Sequence, residues 1–309
     1  MGIWGTGLYS GDFAMDLRST ISAVSRLPFD TGRLVEILCE TEPSAANNRN
    51  DEEHTTFWLV LADQFAKRGI DCEPVRDRAI QIIDGFEDQA MLEKLGATPV
   101  DIRRRRKVLL ELRARLAAPP INRPRTVLKK PQPLLMETGD IIVYPTCDGR
   151  CINPYFASKE FDKHYTKAGP VPWAQDGWAA AVIVDCGRAF EFLSWYRPLT
   201  LAQARNEKPT PESLRGDVLW RLELPGTCSK THFKKMELEK IGSFPVDPDK
   251  FKKTFPGLRS GQSAAVSDIS IANRLNALSQ SFVGTLPEHK EGKRGYSPTL
   301  RGIEQILKD

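Results

Sequence analysis

The chain has 309 residues, 40% of them hydrophobic and 27% charged, with a formal net charge of +4. That length allows one large domain or two ordinary ones, and the composition is that of a soluble globular protein. The richest apolar run, "FWLVLA" at 57–62, falls far short of the roughly eighteen residues a membrane span needs, so no membrane partner is expected.

The charge is unevenly placed. Residues 1–98 hold 9 basic and 17 acidic side chains, residues 99–133 hold 11 and 2, and the remaining residues carry a net +3. The basic excess therefore lies in one short stretch between two halves. The opening "MGIWGTGLYSGDFAMDLRSTI" has neither the basic start nor the apolar run of a secretory signal and reads as folded from its first residues. Together with six cysteines, which a reducing compartment keeps as thiols, this places the chain in the cytoplasm by expectation.

Asp12 is positioned to cap a helix with Phe13, Leu17, Ile21 and Val24 on one face. "GRLVEILCE" at 32–40 suits a second helix ending near Pro43. "SAANNRNDEE" at 44–53 reads as a loop whose last acids favour the positive end of the next helix. That helix, over 52–68, is apolar nearly all round and is stopped by Gly69. "EPVRDRAIQIIDGF" gives a further helix with Pro74 in its first turn. In "TPVDIRRRRKVLLELRARLAAPP", Thr98, Pro99 and Asp101 form a capping box, and Ile102, Val108, Leu109, Leu112 and Leu116 form one stripe. Arg103, Arg104 and Lys107 fall on the polar side. Arg105 falls within the stripe, where it must snorkel or pair with an acid.

"AAPPINRPRTVLKKPQP" has five prolines in seventeen residues and reads as a semi-extended linker. Beyond it the periodicity becomes that of strands: "GDIIVYPT", a second strand after the Asp-Gly turn of "CDGRC", then "WAAAVIVDC", "AFEFLSWYRP", "GDVLWRLEL" and "MELEKIGSF". The expected class is α+β. A helical domain (1–118) and a basic linker (119–133) precede a small antiparallel β-barrel-like or bent-sheet domain (134–256), with an extension over 257–309. In that extension "SDISIANRLNALSQSF" suits an amphipathic helix and 298–308 a short one. The long connection 153–177 is rich in aromatics and is expected to be an ordered, functional loop.

Two segments resemble known families. "WGTGLYSGDFAMD" is similar to the start of the bacterial domain of unknown function 4259 family, through Trp4, Gly5, Gly7, Asp12, Ala14 and Asp16. That resemblance implies a helical domain and a bacterial origin and assigns no activity. The β-rich part resembles bacterial toxin-immunity proteins through the strand start Gly139–Asp140 and the turn Asp148–Gly149. The long segment 153–177 departs from their compact pattern.

Chemistry-bearing residues are sparse. Capping and dipole effects account for Asp12 and Asp16. Cys147, Cys151, Cys228 and His232 have a spacing zinc accepts, but hairpin cysteines are commonly buried hydrophobes, so no metal or cofactor is assigned. Cys147, Cys151 or Cys186 beside His164 lacks a nucleophile signature, and His54 reads as a packed histidine. No phosphate-binding or zinc-protease motif occurs, and no catalytic residue is named. The expected function is non-enzymatic binding of a protein partner in bacterial immunity or defence, by occlusion, through Tyr155, Phe156, Tyr165, Trp173 and Trp178. The alternative is nucleic-acid binding through Arg103, Arg104, Arg106, Lys107, Arg123, Arg125, Lys129 and Lys130, set against docking of the same basic stretch on the acidic first domain.

Overall fold

A computed structural model describes residues 5–119, 124–155, 174–258, 260–277 and 300–308. The chain divides into two units, 1–130 with 266–268 and 131–265 with 269–309. The first is helical. It comprises α1 (Asp12–Val24), α2 (Thr31–Thr41), α3 (Pro43–Asn47), α4 (His54–Lys67), α5 (Glu73–Asp84), α6 (Glu87–Lys94) and α7 (Pro99–Ala117). α4 is its axis: ten of its fourteen residues are buried, and it packs against α1, α3, α5, α6 and α7.

Local chemistry explains most of these boundaries. Thr98 Oγ1 accepts from the Asp101 N–H at 3.2 Å and donates to Asp101 Oδ2 at 2.6 Å, closing the expected cap. Gly69 leaves α4 with φ +66°. Three expectations change. Asp12 is the first residue of α1 and not its cap: Gly11 takes that place, with extended backbone and no side-chain cap bond. α3, begun by Pro43, takes the first four residues of the 44–53 segment read as a loop, because Ala45 and Ala46 bury against the unit. α6 was not expected, since only Asp88 of its eight residues is buried and no apolar period announces it.

The second unit is a seven-stranded antiparallel sheet among the described residues: β1 (Asp140–Cys147), β2 (Arg150–Cys151), β3 (Gly177–Ala189), β4 (Leu193–Leu201), β5 (Leu219–Leu222), β6 (Glu239–Ser243) and β7 (Leu300–Gly302). The order is β2-β1-β3-β4-β5-β7, with β6 sharing the outer edge of β1 with β2, and the sheet is open. Of the two expected forms, it is the sheet and not the barrel. Asp148 and Gly149, at φ +50° and +73°, make the expected turn between β1 and β2. The β3–β4 turn is made by Phe190 and Glu191, both left-handed at φ +49° and +65°, inside a segment read as continuous strand. No Gly, Asn or Asp marks it.

Both faces of the sheet are covered. Ile142, Tyr144, Ala181, Ile183 and Tyr196 pack with Met236, Leu238, Ile271 and Leu275 on one side. Ile141, Val143, Val182, Leu199 and Trp220 pack with Phe251, Phe255, Ile303 and Ile306 on the other. Successive residues serve opposite layers, so β1 reads as a continuous apolar run. Helices α8 (Lys230–Lys235), α9 (Pro248–Thr254) and α10 (Gln262–Val266) complete the described elements. The expected helix over 267–282 is absent through 277. Ser270 and Asn276 bridge instead to Thr227 and Arg150, and Ile271–Asn273 form one 3-10 turn; 278–282 lie outside the described residues. Residues 300–306 form β7 and a 3-10 turn in place of the final helix.

Candidate functional site

The opening motif does more than start a helix. Ser10 N–H donates to Gly7 O at 3.2 Å, and Gly7 N–H donates to Ser10 Oγ at 3.1 Å. A Cβ on Gly5 or Gly7 would crowd that hydroxyl, which is why glycines stand there. Gly7 O also accepts from Arg105 at 2.8 Å. Arg105, the cation misplaced in the apolar stripe of α7, is buried and holds Asp88 by two bonds of 3.0 Å. Thr55 Oγ1 donates to the same carboxylate at 3.3 Å. A buried charge persists only when paired in this way.

This knot forms part of the wall of a cleft of about 820 Å3, a size typical of binding sites. Its walls come from five separate stretches: the opening motif, the α2–α3 junction, residues 51–56, α6 and the start of α7. Leu8, Phe13, Ala45, Met91, Leu92 and Leu95 give it apolar surface, and Asp12, Glu42, Asp51, Glu52, Glu53 and Asp101 give it an acidic rim. Arg105 is the one cation among the described lining residues, and Asp88 already neutralises it. Burial first, then Asp16 and Asp51, raises the pKa of Glu42. Burial, then Asp51 and Glu52, raises that of Glu53. Neighbouring Asp16 is raised by burial and by Asp12. These carboxylates pay for one another's charge and would be relieved by a cation.

Behind the rim, His54 is packed as expected. Its Nδ1 lies 2.7 Å from Ala45 O and must donate to it, so Nε2 accepts from Arg78 at 2.9 Å. Burial, then Arg78, lowers its pKa, against the pull of Ala45, and the ring is neutral. Among the described residues no group of three His, Cys, Asp or Glu side chains converges as a metal site.

Of the five residues read as binding positions, Tyr155 and Trp178 are described. Tyr155 is 61% exposed, its ring edge-on to His232 at 5.2 Å. Trp178 is half-buried on β3, with Lys208 Nζ 5.4 Å from its ring centre. It stands on the face of Ala180 and Val182, opposite the layer that holds Cys151. Phe156, Tyr165, Trp173 and His164 lie outside the described residues. Tyr196 is core, and its hydroxyl accepts from Leu135 N–H at 2.8 Å. Trp195 fills the space a Cβ on Gly187 or Gly261 would need.

The thiols are quiescent. Cys151 donates to Ala272 O at 3.4 Å, Cys228 faces Ser229 O at 3.7 Å, and burial pushes both thiols up to about 12. Cys147 and Cys186 are raised by burial as well. A protonated thiol is a poor nucleophile.

Half of the described basic residues of 99–133 are committed to the helical unit. Arg106 donates to Ile83 O at 2.7 Å and lies 4.3 Å from the Phe86 ring centre. Arg113 pairs with Asp84 at 2.6 Å, Arg115 with Asp63 at 2.7 Å, and Arg125 donates to Phe29 O at 2.7 Å. Arg103, Arg104, Lys107, Lys129 and Lys130 are exposed, and Arg123 lies outside the described residues. Glu42, Glu53 and Asp88 were not singled out from the sequence. Their signals were the acidic excess of residues 1–98 and the need of Arg105 for an acid. No protein-family model, no curated protein and no solved structure matches the chain.

Proposed function

We propose that this chain is a non-enzymatic protein-binding module that takes a basic, amphipathic segment of its partner into the acidic cleft of the helical unit. The observation that carries this reading is the cleft's composition: apolar surface under a rim of six carboxylates, two of which, Glu42 and Glu53, are held above their ordinary pKa, with Arg105 the one cation among the described lining residues. A lysine- or arginine-bearing segment with apolar neighbours would remove water from the apolar surface and relieve the rim at once. Acting by occlusion, such a module suits bacterial immunity or defence, in keeping with the resemblance of the opening motif and of the β-rich part. The coverage of both sheet faces leaves loops and edges, not the sheet surface, for any second contact. The nucleic-acid alternative is supported by the exposure of Arg103, Arg104 and Lys107 on α7, and is weakened by the internal bonds of Arg106 and Arg125.

The test is affinity capture from native lysate with the unaltered chain, Glu42→Lys/Glu53→Lys, and Arg103→Glu/Arg104→Glu/Lys107→Glu, each with and without nuclease. A partner that resists nuclease and is lost with the cleft variant supports the proposal. Recovery of nucleic acid alone, lost with the α7 variant, overturns it.

A further inference from the structure

The helical unit has a second cleft, of about 560 Å3, at the other ends of α1 and α4. Its charge is opposite. Arg18 and Arg26 come from α1 and its exit, Lys67 and Arg68 from the end of α4, and Arg125 from the chain beyond α7. No carboxylate lines it among the described residues. Residues 124–128, in the segment read as a linker, form one wall: Leu128 N–H donates to Arg26 O at 2.8 Å, and Arg125 is tied to Phe29 O.

Of these five cations, Lys67 alone forms an ion pair among the described residues, with Asp63 at 2.6 Å. Lys67 and Arg18 also stand over the Tyr9 ring, 5.2 and 5.5 Å from its centre. Arg68 reaches only the carbonyl and side-chain oxygens of Gln64. Burial, then Arg18, lowers its pKa, against the pull of Tyr9 and Asp63, and burial also lowers that of Arg125, against the pull of Asp30. Cations at a helix C-terminus are favourable by themselves, but each helix end is worth only about half a negative charge. Two ends offset about one charge, and Asp63 and Asp30 act on Arg68 and Arg125 without an ion pair to either, which leaves a net positive charge in a concave site.

We propose that this cleft binds a soluble anion carrying two or more phosphate groups. The guanidinium fork matches phosphate oxygens two at a time, and four forks around one cleft exceed what a single phosphate engages. The volume is that of a small-ligand site. This inference is independent of the acidic cleft, which uses the opposite ends of the same helices.

Calorimetric titration of the full chain with inorganic tripolyphosphate, ATP and a short single-stranded oligonucleotide tests it. Tripolyphosphate is expected to bind at one site per chain. Arg26→Gln and Arg68→Gln should each weaken it about tenfold or more, the loss typical of a charge-assisted bond. Arg26 is exposed and the fold uses only its backbone, so that variant stays folded. Arg103→Gln/Lys107→Gln, outside the cleft, should leave binding unchanged. ATP binding tighter than tripolyphosphate identifies a nucleotide, and equal affinity a free polyphosphate; both support the site. Absence of tripolyphosphate binding, equal losses in the cleft and α7 variants, or binding of the oligonucleotide alone would overturn it.

Discussion

The two clefts of the helical unit are built from the same pair of helices and differ in almost everything else. The first turns of α1 and α4 line the acidic cleft and their last turns line the basic one, after about 20 Å of helix. Side-chain charge opposes the helix dipole at both ends, as local electrostatics prefers. The excess over the dipole is what distinguishes a binding surface from a compensated helix end. At the acidic end it includes partly buried carboxylates that raise one another's pKa, with apolar surface beside them. At the basic end it is four guanidinium groups that form no ion pair among the described residues.

The largest expected effect comes from the knot under the acidic cleft. Asp88→Ala strands the buried Arg105 charge and should cost about 3–5 kcal/mol, read from urea unfolding. Replacing Arg105 by Met in the same chain should recover much of that loss. A loss below about 1 kcal/mol would mean that the pair is solvated and that the cleft wall is not rigid. In the sheet unit, Gly139 sits at φ +98°, and a Cβ there would strike Phe244 O. Gly139→Ala should cost about 1–3 kcal/mol, which tests whether strain is stored at the entry to β1. Thr98→Ala, which opens the α7 cap, should cost about 1 kcal/mol.

The smallest effect carries the sharpest sign. Glu42 has a folded pKa above its unfolded value. Its contribution to stability is therefore fully present below the unfolded pKa and is lost as pH rises through the folded one. Glu42→Gln should equal the unaltered chain in acid and exceed it at neutral pH, by less than about 1 kcal/mol at so open a site. Asp84, drawn down by Arg113, has the opposite sign: its contribution is present above the unfolded pKa and lost as pH falls through the folded one. Destabilisation of Glu42→Gln at neutral pH would show that the rim is already neutralised.

Much of the architecture was legible because its causes are local. The Thr98 cap, the Asp148–Gly149 turn, the packed His54 and the need of Arg105 for an acid each follow from a few neighbouring residues. The clefts were not legible. The acidic one is assembled from five stretches, and each of its acids taken alone is explained by a helix start or a loop. The basic one needed Arg125 to fold back beside Arg18, Arg26 and Arg68, a juxtaposition no spacing encodes. The Phe190–Glu191 turn escaped because residues that usually avoid left-handed backbone carry it, held by the pairing of β3 with β4 on either side.

The most direct test of the proposed protein-binding role is backbone hydrogen exchange on the unaltered chain, alone and with the partner recovered by affinity capture. Protection concentrated in residues 5–14, 42–56 and 88–101 is the expected result. Protection confined to 139–155 and the edges of the sheet, with those three stretches unchanged, would contradict it and move the binding surface to the second unit.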